Sequence, residues 1–336
     1  MKRQKLIAII IFQCYASFCF GKECPLPGFS GESADSLRTE ASRLYERGYY
    51  QQSISLLSQL SNDSLTLDDM RLRYDCFSQI GQLDSLVYWG KRIVKRSPLD
   101  KIIPDLTYRL NNADREHVNP GLAIEICERY KQQDANHILV NRQLADAYYL
   151  LGNYDLSLRE LEGLEALGDT CFKVLYTKGM IYMNTGKYDE AYGYLSRATA
   201  LRNDTHGYCL FMLGIAANKI GLGAEALGYL GEAEKLMVPD RKTMFRLHQE
   251  QAESFRLKGE PDFRLQELEE CMRFAEEKDV NVLTYQMGQC YLQLHQLDKA
   301  REYLNRFLDA TKDKEYNNSI KHMRQSAEEQ LRMMMW

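Results

Sequence analysis

A pattern with a period of about 34 residues runs through most of this 336-residue chain and constrains its fold more than any other feature. From Gly179, an aromatic residue follows at three residues (Tyr182), a glycine at seven (Gly186), an alanine at twelve (Ala191) and a leucine at sixteen (Leu195). Similar residues recur at these offsets from seven other positions, and in three of those repeats the match is weaker. We call all eight the reference residues: Ala41, Tyr74, Asn111, Ala145, Gly179, Gly214, Ala252 and Gly288.

Each repeat is predicted to form a pair of antiparallel helices. A small residue followed by an aromatic residue and then glycine is typical of a first helix that packs closely and ends at a capping glycine. Alanine and leucine at the later offsets form the apolar stripe of a second helix. Asp155 and Asp189 would lie in the first turn of a second helix, where the helix dipole favours an acidic side chain. The chain is therefore expected to be all-α.

The unit from Cys171 to Asp204, with LYTKGMIYMNTGKYDEAYGYLSRATAL, resembles the tetratricopeptide repeat family. The resemblance covers residues 34–311, best in 138–240 and 281–311, with degenerate units in 67–137 and 245–280. It implies a right-handed α-solenoid of about eight helix pairs. Residues 312–336 are predicted to form a C-terminal capping helix, because Ile320, Met323, Ala327 and Leu331 fall on one helical face.

The resemblance also implies a concave groove lined by the first helices. In this family the lining residues stand six and three before the reference residue and one, four and five after it. We expect such a surface to bind a peptide or helix of another protein, since tyrosine and methionine offer large, adaptable contact areas. The residues carried over are Asp146, Tyr149, Lys173, Tyr176, Met180, Met183, Asn184, Tyr208, Phe211, Ile215, Asn218, Lys219, Arg256, Tyr285 and Gln293.

Residues 1–21 have the pattern of a secretory signal peptide. Lys2, Arg3 and Lys5 precede an apolar run that is shorter than a membrane-spanning helix needs, and cleavage is expected after Gly21. An uncleaved anchor is the alternative; a lipoprotein is disfavoured because no early cysteine follows the required small residues. Residues 22–33 would form a short linker. The chain is therefore expected to be exported, to the periplasm or the outer membrane, with no transmembrane segment after cleavage.

Charge and motifs disfavour several functions. A net charge of −4 gives no field for binding nucleic acid. The six histidines show no metal-ligand spacing, and no catalytic constellation is present, so we predict no metal, no cofactor and no enzymatic activity. The segment from Gly221 to Ala226 fits a dinucleotide-binding pattern. That pattern requires a preceding strand, whereas a helix is expected here.

Cysteines and short motifs leave two points open. Seven cysteines remain after the predicted cleavage, and the best candidates for a single disulfide are Cys171 and Cys209. Three Asp-Ser-Leu triplets, at 35–37, 63–65 and 84–86, resemble the O-glycosylation acceptor of some periplasmic bacterial proteins, and equally fit helix caps and turns.

These features together predict a scaffold that binds other cell-envelope proteins through its groove. A glycan-binding module is the alternative, because exposed tyrosines also stack on sugars. Self-association through the C-terminal end, with Met333, Met334, Met335 and Trp336, is a further expectation.

Overall fold

The computed structural model describes residues 33–202, 205–237, 240–312 and 318–334. Within those residues the chain forms seventeen α-helices and no strand. It divides into two compact units, Met1–Ile102 and Ile103–Trp336, which are considered separately below. The predicted signal peptide and residues 22–32 of the predicted linker lie outside the described residues.

The first unit consists of two helix pairs. Within each pair the two helices pack against each other, and a short 3₁₀ turn, Asn62–Ser64, precedes the second pair. The N-terminus of the second pair is capped by Thr66, whose hydroxyl accepts a hydrogen bond from the Asp69 backbone N–H, 3.1 Å away. The helices are α1 (Ala34–Glu46), α2 (Tyr50–Leu57), α3 (Leu67–Ile80) and α4 (Leu83–Arg96).

The second unit continues the same arrangement with six further helix pairs and a last helix. Each helix packs against the next one along the chain, and the last one packs against the two preceding helices. The helices are α5 (Ile103–Asn112), α6 (Pro120–Lys131), α7 (Ile138–Leu150), α8 (Tyr154–Ala166), α9 (Phe172–Asn184), α10 (Tyr188–Leu201), α11 (Gly207–Lys219), α12 (Gly223–Leu236), α13 (Arg241–Lys258), α14 (Pro261–Phe274), α15 (Glu277–Gln293), α16 (Leu297–Ala310) and α17 (Asn318–Met333).

At two of the reference residues, Gly179 and Gly214, the two helices of a pair approach each other closely. A Cβ atom built on Gly179 would lie 2.7 Å from Leu195 Cγ, and one built on Gly214 would lie 2.7 Å from Leu230 Cγ. In both cases the leucine stands sixteen residues after the glycine. The glycines are therefore required by packing, because the second helix occupies the space that a side chain would fill.

The residue twelve positions after the reference residue packs at the same contact. In two units it is a serine: Ser53 Oγ donates a hydrogen bond to the Ala41 carbonyl, and Ser157 Oγ to the Ala145 carbonyl, both at 2.8 Å. These serines are fully buried. The hydrogen bonds satisfy hydroxyls that would otherwise be costly to bury.

The glycine seven positions after the reference residue ends the first helix with a positive φ. This holds for Gly48, Gly81, Gly152, Gly186, Gly221 and Gly259, with φ between 72° and 85°. In the unit of Gly288 the position is occupied by His295, whose φ of 56° is the only positive value of a non-glycine among the described residues. A Cβ atom makes this left-handed conformation unfavourable.

We expect His295→Gly to raise the free energy of unfolding by about 1 kcal/mol, because glycine adopts this conformation without the steric cost of a Cβ atom. Urea-induced unfolding followed by circular dichroism measures the change. His295→Ala is the matched control: it removes the imidazole but keeps the Cβ atom and should gain much less. An equal gain from both variants would show that the backbone conformation is not the cause.

The turn at Gly221 lacks the preceding strand that the dinucleotide-binding pattern requires. Helix α11 precedes it and helix α12 starts at Gly223, so the pattern lies between two helices, as in the other repeats. Cys171 and Cys209, the best candidates for a single disulfide, are both free thiols. Cys171 packs in the cluster of Leu161 and Leu164, whereas Cys209 belongs to another buried cluster beside Thr199.

Candidate functional site

Three tyrosines from consecutive first helices lie together in the second unit. Tyr149 is on α7, Tyr176 on α9 and Tyr208 on α11. Burial raises the pKa of Tyr176, and the nearby phenols of Tyr208 and Tyr149 raise it further. Tyr208 is 44% exposed, whereas the other two are half-buried. The face formed by the first helices thus has an aromatic centre that is only partly covered.

Met183 and Asn184 complete this patch. Asn184 Nδ2 donates to Tyr149 Oη at 3.4 Å, and Met183 packs against the same buried cluster as Tyr149 and Tyr176. We refer to Tyr149, Tyr176, Met183, Asn184 and Tyr208 as the tyrosine surface. Because its tyrosines and methionine rest on a packed core, they are held in place before any partner arrives, which lowers the entropic cost of binding.

Aromatic neighbours that sequence reasoning missed support the tyrosine surface. Phe172 stacks on Tyr176 with ring centroids 5.4 Å apart, and His206 lies 5.0 Å from Phe172. His206 Nδ1 accepts the Cys209 backbone N–H and so caps α11, as His137 caps α7. Both histidines stand eight residues before their reference residues. That shared offset was a signal in the sequence for their capping role.

Two of the four charged residues of the predicted groove, Asp146 and Lys173, form an ion pair beside the tyrosine surface. Lys173 Nζ lies 3.2 Å from Asp146 Oδ2; the lysine is exposed and the aspartate is buried. Burial raises the pKa of Asp146, and the Lys173 charge offsets part of that effect. Lys173 therefore supplies the surface with a positive charge, whereas Asp146 acts mainly as its buried partner.

The prediction of groove residues is wrong for Met180, Phe211 and Ile215, and Asp146 is likewise not a surface residue. The three apolar side chains are between 2% and 8% exposed and belong to the buried cluster beneath the tyrosine surface. Asp146, Met180 and Ile215 all stand directly after a reference residue. We attribute their burial to the packing of consecutive first helices against each other, which covers this position.

The remaining predicted residues lie away from the tyrosines or are occupied by other contacts. Asn218 is buried, donates to the Glu250 carbonyl at 2.9 Å and accepts from Ser254 Oγ at 2.8 Å. Tyr285 Oη donates to Ser326 Oγ of the last helix at 3.1 Å. Three of the predicted residues are exposed without joining the tyrosine surface: Lys219, Arg256 and Gln293.

The glycan-binding alternative gains no support from tryptophan. Trp89, in the first unit, is 7% exposed, and the Arg73 and Arg92 guanidinium groups lie 4.5 and 4.9 Å from its ring. A ring enclosed in this way cannot stack on a sugar. Trp336 lies outside the described residues.

Among the described helices, none has both the length and the apolar character to span a bilayer.

Stacked helix pairs with a preformed, mixed aromatic and polar surface define the chain as a helical-repeat protein of the kind that serves as a protein-interaction scaffold. The sequence model described as "Tetratricopeptide repeat" matches residues 172–205 and 284–314, which fall in the pairs α9–α10 and α15–α16. Two of its helix pairs thus match the tetratricopeptide repeat, and the predicted all-α repeat fold is confirmed.

The chain is also similar to several solved structures, one of which reaches a TM-score of 0.50. YrrB, described as a tetratricopeptide repeat protein with an unusual peptide-binding site, is 19% identical, with a TM-score of 0.50 over 61% of this chain and 99% of that one. A tetratricopeptide repeat protein from Parabacteroides merdae is 16% identical, with a TM-score of 0.48 over 78% and 98% of the two chains. Pseudomonas aeruginosa pilF is 14% identical, with a TM-score of 0.49 over 68% and 97%. No curated protein matches the chain.

Proposed function

We propose that this protein is a non-enzymatic scaffold that binds a peptide or helix of a partner protein on the tyrosine surface. The observation that carries the proposal is the convergence of Tyr149, Tyr176 and Tyr208 from three consecutive first helices onto one partly exposed patch. Tyrosine is enriched at interaction hot spots because it buries a large apolar area while its hydroxyl still forms hydrogen bonds.

The polar groups of the patch suit a peptide better than a purely apolar ligand. The Asn184 side-chain amide can donate to and accept from a peptide backbone, and Met183 can adapt its shape to different apolar side chains. Lys173 adds an exposed positive charge at the edge. The description of YrrB as a peptide-binding protein of the same fold agrees with this proposal.

The double variant Tyr208→Ala, Asn184→Ala should weaken peptide binding at least about tenfold, because it removes a hot-spot tyrosine and the side-chain amide that donates to Tyr149. Suitable peptides are obtained by selecting a random displayed library on residues 22–336. Their affinities for the parent protein and the variant are then compared by fluorescence anisotropy. Both side chains are well exposed, so the fold should be unchanged, which circular dichroism checks.

Phe263→Ala is the matched control for this experiment. Phe263 is 51% exposed in the same unit, on α14, a second helix that does not belong to the face formed by the first helices. Its replacement should leave every affinity unchanged. Equal affinities for the double variant and the parent would remove the tyrosine surface from the proposal. Sugar binding on a glycan array, lost in the double variant, would instead favour the glycan-binding alternative.

We further propose that the protein acts in the cell envelope of a bacterium after export. The support is the charged start and apolar run of residues 1–21. Intact-mass measurement of the protein recovered from the periplasm of an expressing bacterium should give a chain that begins at Lys22. A full-length, cytoplasmic chain would contradict the proposed location without affecting the peptide-binding proposal.

A further inference from the structure

Helix α4 of the first unit carries a cluster of positive charge in a chain whose net charge is −4. Lys91, Arg92, Lys95 and Arg96 all lie in the last two turns of this helix. Its only acidic residue, Asp84, lies in the first turn. None of the four cations forms an ion pair within the described part of the chain.

The four cations share one side of α4 with an exposed tyrosine. With about 100° per residue, Tyr88 and Lys95 lie near the middle of an arc of about 140°, and Lys91, Arg92 and Arg96 lie towards its edges. Tyr88 is 54% exposed, and both lysines and Arg96 are exposed as well. We refer to these five residues as the basic face. The rest of the helix surface contains the buried residues Leu86, Trp89, Gly90, Ile93 and Val94.

Contacts within the first unit hold the arginines of the basic face in place. Arg92 Nη1 donates to Tyr88 Oη at 3.2 Å and to Asn62 Oδ1 at 3.4 Å. Arg96 Nη1 donates to the Leu65 carbonyl at 2.8 Å. All three acceptors are uncharged, so these hydrogen bonds orient the guanidinium groups without neutralising them. The positive charge therefore remains available to an anionic partner.

A buried cation adds to the charge of the basic face. The Arg73 guanidinium lies 4.5 Å from the Trp89 ring, and the Arg92 guanidinium lies 4.9 Å from the same ring. Arg73 donates to the Leu57 carbonyl and forms no ion pair within the residues that the structure describes. Because a buried charge is screened less than an exposed one, Arg73 strengthens the positive potential at this side of the unit.

A flat anionic surface fits this arrangement. The cations flank Tyr88, so a plane that meets the cations also meets the tyrosine. Tyrosine is favoured at membrane–water interfaces because its ring is apolar and its hydroxyl can stay hydrated. Lysines and arginines on a helix face attract anionic lipid headgroups. Acidic residues elsewhere in the chain oppose this attraction little, since exposed charges more than about 8 Å apart are largely screened at physiological ionic strength.

We propose that the basic face docks on the surface of a lipid bilayer that contains anionic headgroups, with Tyr88 at the level of those headgroups. The inference goes beyond the proposed peptide binding, because it assigns a role to the first unit. The basic face and the tyrosine surface share no residue, so each can be tested by itself.

Co-sedimentation of residues 22–336 with lipid vesicles tests the proposal. One set of vesicles contains equal amounts of phosphatidylcholine and phosphatidylglycerol, and the other contains phosphatidylcholine alone. The protein should bind the anionic vesicles at least about tenfold more tightly, and the difference should shrink as the salt concentration rises. Residues 1–21 are omitted because their apolar run would itself bind to a bilayer.

The double variant Lys91→Gln, Lys95→Gln should weaken binding to the anionic vesicles at least about tenfold. Both lysines are exposed and unpaired within the described residues, so the fold should be unchanged, which circular dichroism checks. The matched control is Lys242→Gln, Lys321→Gln, which removes the same charge from exposed positions on α13 and α17 and should leave binding unchanged. Tyr88→Ala should weaken binding about threefold through the lost interfacial ring.

Equal binding to the two kinds of vesicle, or equal losses from the two double variants, would overturn the proposal. Binding to poly-glutamate or to single-stranded DNA that is lost in Lys91→Gln, Lys95→Gln, without binding to vesicles, would assign the basic face to another polyanion and overturn lipid docking. The same double variant should bind the selected peptides as the parent does. Failure of lipid docking is therefore distinguishable from failure of the proposed peptide binding.

Discussion

Replacing Phe211 with alanine is expected to lower the free energy of unfolding of the second unit by about 3–5 kcal/mol. The ring is 2% exposed and is among the largest buried side chains of the described residues. It packs in the cluster beneath the tyrosine surface, and the Arg246 guanidinium lies 5.6 Å from its centroid. Truncation would remove this apolar contact and leave a cavity that the surrounding helices can fill only in part.

The matched comparison is Tyr208→Ala, three residues earlier on the same helix. Tyr208 is 44% exposed and lies 6.2 Å from the Phe211 ring, so its truncation should cost about 1 kcal/mol or less. Urea unfolding of both variants, followed by circular dichroism, measures the difference. Similar losses for the two variants would show that Phe211 is not the buried member of the pair.

This difference in burial decides how binding experiments should be read. A variant of Phe211 that fails to bind a peptide would report loss of the folded surface, not loss of a contact. A variant of Tyr208 or Asn184 acts on exposed groups and leaves the buried cluster intact. The variants of Tyr208 and Asn184 therefore test the proposed function, whereas the Phe211 variant tests the packing beneath the tyrosine surface.

The packing of each repeat could be predicted from the sequence because it is local. A reference residue and the leucine sixteen positions later belong to adjacent helices of one pair, and the intervening turn fixes their register. Gly179 with Leu195, and Gly214 with Leu230, therefore meet as the periodicity predicts. The same logic holds for Ser157, whose hydroxyl binds the Ala145 carbonyl across the pair.

The surface could be predicted only in part because it depends on contacts between pairs. Offsets transferred from the family cannot show that Met180 and Ile215 are covered by neighbouring helices, whereas Tyr176 and Tyr208 retain exposed area. Arg264 has a sequence signal, since an arginine stands where six other repeats have a small residue. Only the structure adds that its Nε is buried without an acceptor.

Gly179→Val is expected to lower the free energy of unfolding by about 3 kcal/mol or more, because overpacking at a closed helix contact forces the backbones apart. The added Cβ atom would lie 2.7 Å from Leu195 Cγ and 3.3 Å from the Leu195 backbone nitrogen. Leu195 is fully buried, so its side chain has no open space into which it could move. Urea unfolding followed by circular dichroism measures the loss.

Gly193→Ala on the partner helix α10 is the matched control for this prediction. No atom lies within 4 Å of a Cβ atom built on Gly193, so alanine should raise the free energy of unfolding by about 1 kcal/mol through its higher helix propensity. Adding Leu195→Ala to Gly179→Val should recover part of the loss, because it frees the space that the new side chain needs. Stability changes of the same sign at Gly179 and Gly193, or no recovery in the double variant, would contradict the proposed close contact between α9 and α10.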